Sequence, residues 1–186
     1  MSSVPSKANR GPSAGPENRR ALIVAAREVF ATGGLAAPLS SVARKAGVGQ
    51  GSLYRHFPDR IALAVAVFDE NISELEALAK GPDGTLDDFI DHIIEQTLVS
   101  TALIDLVRST VDDERVDHLG GRLRSVAIDV VTREKARGTI AQTVAVDDVI
   151  LAVSMLAGVI ALTRPDDRRE VAHRAWALFH AAFAPA

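Results

Sequence analysis

Residues 39–57 read L-S-S-V-A-R-K-A-G-V-G-Q-G-S-L-Y-R-H-F and contain two short amphipathic segments. Between the segments stands Gly47, and glycine readily takes the left-handed backbone conformation that ends a helix and turns the chain. On each side of this turn, apolar residues recur at the three- to four-residue spacing of one helical face. These residues are Val42, Ala43 and Ala46 before the turn and Val48, Leu53 and Phe57 after it. The stretch therefore predicts two short helices joined by a tight turn.

The remaining side chains of this stretch are polar, and we expect them to face solvent. They are Ser40, Ser41, Arg44 and Lys45 in the first segment and Gln50, Ser52, Tyr54, Arg55 and His56 in the second. A second helix rich in hydrogen-bonding side chains indicates a helix-turn-helix, whose second helix enters a DNA major groove. An ordinary helical hairpin that binds no DNA is the alternative.

Residues 46–60, A-G-V-G-Q-G-S-L-Y-R-H-F-P-D-R, resemble the signature of the TetR-type transcriptional repressors. In that family the helix-turn-helix is followed by an aromatic residue, then Pro or Asn, and then a basic residue that opens the next helix. The residues that stand where the family places them are Gly47, Val48, Leu53, Tyr54, His56, Phe57 and Arg60. The resemblance extends roughly over residues 19–68, and beyond them only the number and order of helices are similar. It favours DNA binding over the plain hairpin.

We expect the DNA contacts to come from both helices of the motif and from the start of the following helix. The candidate residues are Ser40, Ser41, Arg44, Gly49, Gln50, Gly51, Ser52, Tyr54, Arg55, His56 and Arg60. Gln50 can form a bidentate pair with adenine, and Arg55, if it turns into the groove, can pair with guanine. These two residues are the candidates for reading bases.

The resemblance implies that Tyr54, His56 and Arg60 bind phosphates. Ser40 and Ser41 depart from the family pattern, since larger charged residues are frequent at their positions. This departure argues against base contacts from the first helix of the motif.

The charge of the chain is unevenly distributed. Residues 1–60 contain nine Lys and Arg against three Asp and Glu, a net charge of +6, and the remainder has 12 against 21, a net charge of −9. A basic N-terminal third on an acidic body suits a head that binds the phosphates of double-stranded DNA. A solvated basic face without a partner is the alternative.

The composition argues against several other classes of protein. The chain has no cysteine, so disulfides and thiolate metal sites are excluded. No secretory signal is visible at the start of the chain. The longest apolar run, residues 149–162, would span about 21 Å as a helix, short of the roughly 30 Å of bilayer hydrocarbon. We therefore expect a cytoplasmic protein with no membrane partner.

We find no pattern typical of an enzyme. The five histidines are scattered, and none has a metal-ligand spacing. Neither a nucleophile motif nor a phosphate-binding glycine loop is present. We therefore expect no catalytic residues, no metal and no cofactor.

The whole chain reads as all-α, with about nine helices. Residues 1–16 are rich in Ser, Pro, Gly and Ala and are predicted to form a disordered basic arm. Residues 17–62 are predicted to form the helix-turn-helix domain, with Asn18 as the N-cap of its first helix. The resemblance implies a three-helix head and a six-helix body for ligand binding and dimerisation, residues 63–186.

Residues that break helices and the spacing of apolar residues predict the bounds of the later helices. Asp59 is predicted to cap a helix over residues 60–80 that connects head and body. The helices that follow are predicted at residues 86–100, from there to about 113, at 122–137 after a break or kink at Gly120-Gly121, at 147–163, and at 168–183.

The runs at residues 149–162 and 171–183 are apolar around most of their circumference, so they must be buried on more than one side. We expect a homodimer through residues 147–183, with Ala157 and Gly158 allowing close approach of the backbones. A core formed wholly within one chain is the alternative. The resemblance favours a four-helix dimer interface.

The resemblance also implies a cavity for an unknown small-molecule effector among the helices of residues 86–162. The candidate wall residues are His92, Gln96, Thr97, Arg108, Ser109, Ser154 and Met155. Surface or core positions remain the alternative for each. The sequence thus predicts a DNA-binding regulator, a repressor released from a palindromic operator by a small molecule. The alternative is a helical ligand- or protein-binding module without specific DNA recognition.

Overall fold

The structure, a computed structural model, describes residues 15–81, 84–99, 106 and 113–185. All regular structure in these ranges is helical, which confirms the all-α class. The described residues contain eight complete α-helices: α1 (Gly15–Gly33), α2 (Leu39–Lys45), α3 (Gln50–His56), α4 (Arg60–Lys80), α5 (Leu86–Val99), α6 (Glu114–Arg137), α7 (Val146–Leu162) and α8 (Arg168–Phe183). A 3-10 turn, Pro165–Asp167, precedes α8. The short helix predicted before residue 113 lies outside the described residues except for Leu106.

Helix ends agree with the sequence where a local signal marks them. Asp59 caps α4, because its Oδ1 accepts a hydrogen bond from the backbone N–H of Ala62 at 2.6 Å. Gly138 ends α6 with a φ of 72°, a left-handed conformation that glycine adopts without steric cost. Asp113 caps α6 in the same way as Asp59 caps α4, with its carboxylate 3.0 Å from the N–H of Arg115. We did not predict this second cap from the sequence.

The start of α1 differs from the prediction. The helix begins at Gly15, so Asn18 lies inside it and does not serve as its N-cap. Pro16 stands in the first turn, where its missing N–H leaves no intrahelical hydrogen bond unmade. Gly15 and Pro16 are therefore helical and not part of a disordered arm, whose other residues, 1–14, lie outside the described ranges.

The predicted start of a helix at Arg122 was wrong, because α6 begins at Glu114 and runs through Gly120 and Gly121 without a break. Each glycine costs a helix only about 1 kcal/mol relative to alanine. Leu119 before the pair and Val126 after it are buried, so packing on both sides compensates for that cost. Both glycines are exposed and a Cβ at either would meet nothing within 4 Å.

The buried residues form two hydrophobic clusters. The head core contains the inner faces of α1, α2 and α3 and the first half of α4, as far as Ile72. The body core contains the end of α4 from Leu75 onward, together with α5, α7 and α8. Helix α6 also contributes to both, with Val116 and Leu119 in the head core and Val126 onward in the body core. Two helices therefore connect head and body, where we had predicted α4 alone.

Candidate nucleic-acid interface

The turn between α2 and α3 positions the second helix of the motif. Gly47 has a φ of 66°, a conformation that favours glycine, and its N–H donates to the Arg44 carbonyl at 3.2 Å. The N–H of Val48 then donates to the Ala43 carbonyl at 3.0 Å. Leu53 is the one residue of α3 that is buried, and it enters the head core. A short helix with a single inward anchor leaves most of its circumference open.

The open side of α3 carries the predicted DNA-contacting residues. We call its exposed residues, Gln50, Gly51, Tyr54 and Arg55, the recognition face. Tyr54 is 52 % exposed, which is high for an aromatic residue, on a helix that packs on the head through Leu53. Ser52 and His56 flank this face and are half-buried.

Small residues keep the start of α3 accessible. Gly49 is the N-cap of α3 and is exposed, and Gly51 stands in its first turn. A Cβ at either position would meet nothing within 4 Å. The two glycines therefore leave the backbone around Gln50 open to a partner that approaches closely.

The candidates on α2 are less uniform. Arg44 is exposed, whereas Ser40 and Ser41 are half-buried against the head. Lys45 forms an ion pair with Glu28 of α1. Arg44 is thus the α2 candidate that the fold leaves most open to a phosphate.

Arg60 has partners within the chain that we did not predict. Its Nη1 donates to the carbonyls of Leu35 and Ala37 in the loop between α1 and α2. The first residue of α4 is therefore bound to the loop that precedes the helix-turn-helix. A phosphate contact for Arg60 stays a prediction, and it would use the rest of a half-buried guanidinium.

Arg19 is a further cation beside the motif that the sequence did not single out. Its guanidinium carbon lies 5.3 Å from the ring centroid of Phe57, which is the C-cap of α3. The residue is otherwise exposed. A cation–π contact between residues 38 apart in the chain has no spacing signal in the sequence.

Three predicted ligand-binding residues lie on α5 and are half-buried. The Gln96 amide donates to the Asn71 carbonyl of α4 at 3.3 Å. The Thr97 hydroxyl donates to its own helix, to the carbonyl four residues earlier. His92 Nε2 has no hydrogen-bond partner within standard geometry, although it lies 3.4 Å from a carboxylate oxygen of Glu74.

The other pocket candidates are not brought together with these. Ser154 and Met155 lie on the outer side of α7, where both are exposed, and face away from the interior of the body. The reason is the helical register, since α7 buries Val149, Val153 and Leu156 on its opposite side. Arg108 and Ser109 fall outside the described residues.

Met155 borders an open cavity of about 350 Å³ between α7 and α8. A second cavity, of about 200 Å³, lies between α1, α4 and α5. Its floor is apolar and its rim is polar; the lining residues are Arg27, Phe30, Val67, Phe68, Asn71, Glu74, Glu95, Gln96 and Val99. Of the predicted pocket residues, only Gln96 is in this described lining. No spacing in the sequence indicates that α1 takes part in a cavity.

The outer side of α7 and α8 carries exposed apolar residues. We call Leu151, Met155, Val159 and Leu162 of α7 and Leu178 of α8 the apolar stripe. Leu162 is 86 % exposed and Leu178 is 72 % exposed. The four α7 residues recur every three or four positions and therefore share one face of the helix. Exposed apolar faces of this kind are typical of association surfaces. Gly158 lies beside them and is half-buried, and a Cβ at its position would meet nothing within 4 Å.

Residues 22–67 match the family of bacterial regulatory proteins called the tetR family. The match includes both helices of the predicted helix-turn-helix, and over this stretch the chain is similar to the tetR family. A TetR transcriptional regulator from Streptomyces coelicolor has a similar structure, with a TM-score of 0.68 and 28 % identity over 90 % of this chain and 98 % of that one. The family comprises transcriptional regulators and not enzymes, in agreement with the expectation of no catalytic site.

Two further TetR-like structures share the fold at lower identity. One is a gamma-butyrolactone receptor, an ArpA-like protein, with a TM-score of 0.60 and 21 % identity over 92 % of this chain and 90 % of that one. The other is TylP from Streptomyces fradiae, with a TM-score of 0.59 and 23 % identity over 94 % and 89 %. A comparison with curated protein sequences finds no match. None of the described helices is long and apolar enough to cross a membrane.

Proposed function

We propose that this protein is a homodimeric repressor that binds a palindromic operator and releases it when a small molecule binds. The recognition face of α3 carries the proposal. It presents a hydrogen-bonding amide, a phenol and a guanidinium to solvent on a helix fixed by Leu53. A short helix with this chemistry fits a DNA major groove. Such a protein works in the compartment that holds the DNA, which is the cytoplasm of a bacterium.

The apolar stripe supports the dimer. Residues of α7 and α8 that one chain leaves exposed would be covered by the same residues of a second copy, as an isologous interface requires. Two heads related by a two-fold axis read two half-sites of opposite direction, and hence a palindromic operator. Residues 147–183 are therefore the proposed dimer interface.

The connection of head and body supports release by a ligand. A molecule that binds more tightly to one arrangement of α4 and α6 shifts the population of head positions, by no more than its difference in affinity for the two states. Reversing a 99:1 population requires about 5.5 kcal/mol of such difference. A small molecule bound in the body can supply this difference in affinity only if helices of the body move when it binds.

Selection of genomic DNA fragments by the purified protein tests the proposal. We expect the bound fragments to share a motif with two-fold symmetry and the binding to weaken steeply with salt. A variant with Gln50→Ala and Arg55→Ala, which removes base-reading side chains from an exposed face, is the matched control and should lose the motif. Fragments without any common motif would favour the alternative, a helical binding module that does not recognise specific DNA.

The ligand step needs a separate measurement. Small molecules are screened for those that lower operator affinity, and the affinity of each for the protein is then measured with and without operator. Reciprocity requires the same factor in both directions. An inducer whose affinity is unchanged by operator would reject release through the body.

A further inference from the structure

The second residue of α6, Arg115, joins the caps of two helices. Its Nη1 lies 3.2 and 3.1 Å from the two carboxylate oxygens of Asp59, the N-cap of α4. Its Nε and Nη2 lie 2.9 and 2.7 Å from the oxygens of Asp113, the N-cap of α6. One guanidinium therefore holds the first turns of α4 and α6 together.

Asp59 lies in the chain between the recognition helix α3 and Arg60. Only Pro58 separates it from Phe57, the C-cap of the recognition helix α3. On its other side Arg60 is bound to the loop between α1 and α2. Any displacement of Asp59 therefore changes the direction in which α3 leaves the head.

Helix α6, which carries Arg115, packs against both hydrophobic cores. Val116, next to Arg115, is buried in the head core. Arg122, two turns further, forms ion pairs with Asp69 and with Glu76 of α4, the latter at 2.8 Å. Beyond it, α6 packs in the body core from Val126 onward. A displacement of the body relative to the head would therefore reach the first turn of α4, next to the recognition helix, through α6.

We propose that Arg115 is a positioning residue for DNA recognition, which fixes the orientation of α3 by binding Asp59. In the dimer this orientation sets the distance between the two recognition faces, so the inference rests on the proposed function. Arginine suits the role because its planar fork can hold two carboxylates at once. A lysine in its place would keep the charge but could not hold both carboxylates in a fixed geometry.

The contact between Arg115 and Asp59 orients the two helices but adds little to the free energy of unfolding. Side chains of Arg115 and Asp59 are 39 % and 49 % exposed, and ion pairs at such sites contribute about 0–1 kcal/mol. The hydrogen bonds that Arg115 donates to Asp113 and Asp59 raise the pKa of Arg115, and the bond to Asp113 lowers the pKa of that carboxyl group. The Arg115–Asp113 pair therefore stays charged at neutral pH. Because exposed ion pairs contribute so little to stability, an Arg115 variant should still fold.

The test measures how strongly the full-length dimer prefers one operator spacing. A selected operator is compared with versions whose half-sites are one base pair closer or farther apart, and with a duplex that holds a single half-site. Arg115→Ala should reduce the preference for the selected spacing about fivefold, within the range of typical coupling energies. Affinity for the single half-site should change less than about twofold, because the recognition face itself is intact.

Three further variants separate the contact from other effects. Arg124→Ala, also on α6, removes an exposed ion pair with Asp147 of α7 in the body and should leave the spacing preference unchanged. Asp59→Asn keeps an N-cap, since asparagine caps as well as aspartate, but loses the charge. It should match Arg115→Ala, and the double variant should be no worse than either. Arg115→Lys should restore part of the preference.

The proposal is wrong if Arg115→Ala keeps the wild-type spacing preference, or if the effects of Arg115→Ala and Asp59→Asn add. Thermal unfolding identifies any variant that does not fold, and the remaining variant of the pair then decides the outcome. Failure of the proposed function is distinguishable, because the wild-type protein would then prefer no operator over random DNA.

Discussion

The recognition face of α3 and the apolar stripe of α7 and α8 are both left open by a single chain, but their chemistry is opposite. The face offers hydrogen-bond donors and acceptors and a cation on a seven-residue helix that buries only Leu53. The stripe offers leucine, methionine and valine on helices that each bury several other residues. Exposure alone therefore does not identify a partner.

The side chains on each surface determine what can cover it. A hydrated polyanion can replace the water around Gln50, Tyr54 and Arg55 with equivalent polar contacts. Covering leucines of the stripe with apolar surface removes about 25 cal/mol per Å² of unfavourable exposure to water, which only another apolar surface can do. The recognition face therefore suits DNA and the apolar stripe suits a second copy of the chain, as proposed above.

Breaking the stripe should have the largest effect. The double variant Leu151→Glu, Met155→Glu places two charges where the second copy should pack, and we expect monomers in sedimentation experiments. Operator affinity should fall about 100-fold or more, because two linked heads gain avidity that one head lacks. Ile128→Glu is the control, since Ile128 is 44 % exposed on α6 but outside the stripe. An unchanged dimer would place the interface elsewhere.

Arg60→Ala separates residues that support the recognition face from those that form it. The loss of hydrogen bonds from a charged donor to the Leu35 and Ala37 carbonyls should lower the free energy of unfolding by about 1.5–3 kcal/mol. Arg55→Ala, on the exposed face, should leave it nearly unchanged. Denaturant unfolding measures both. If Arg60 also binds a phosphate, the salt slope of DNA binding should fall by about one unit.

Gln50→Ala tests whether the recognition face reads bases. The loss of a bidentate pair should cost about 1–3 kcal/mol of discrimination at one operator position, with little effect on random DNA. Binding to a set of operators substituted at single positions measures this cost. Equal losses on operator and random DNA would show that Gln50 contributes affinity but no specificity.

Gly158→Leu examines the stripe without adding charge. A Cβ at Gly158 would meet none of the described residues within 4 Å, so the folded subunit should tolerate leucine. Between two subunits the same side chain would separate the backbones, and overpacking of this kind costs about 1–3 kcal/mol. We expect about tenfold weaker dimerisation by sedimentation, which corresponds to about 1.4 kcal/mol, and a smaller loss of operator affinity. Wild-type dimer affinity in this variant would exclude close contact at Gly158.

The sequence predicted the parts of the fold that local chemistry determines. The turn at Gly47, the cap at Asp59 and the end of α6 at Gly138 each depend on one residue and its neighbours. The continuity of α6 through Gly120 depends on packing with other helices, so the prediction of a helix that starts at Arg122 was wrong. The start of α1 was also predicted wrongly, although Pro16 is itself a local signal for a first helical turn.

The same distinction applies to the candidate site. Which residues of α3 face outward follows from helical spacing, although their contacts with DNA remain predictions. The contacts of Arg60, Arg19 and Arg115 join residues 23 to 56 positions apart, and no spacing rule connects them. The outward placement of Met155 was missed because α7 is apolar on both sides, so composition did not reveal which side the chain itself covers.

The contribution of α6 to the head core has a consequence for protein engineering. Val116 and Leu119 pack with residues of α1 to α4, so a fragment cut after α4 would lack part of its own interior. Regulators recombined from the head of one protein and the body of another should therefore carry the first turns of α6 with the head. During synthesis on the ribosome, the head likewise cannot complete its packing until the chain has emerged past residue 119.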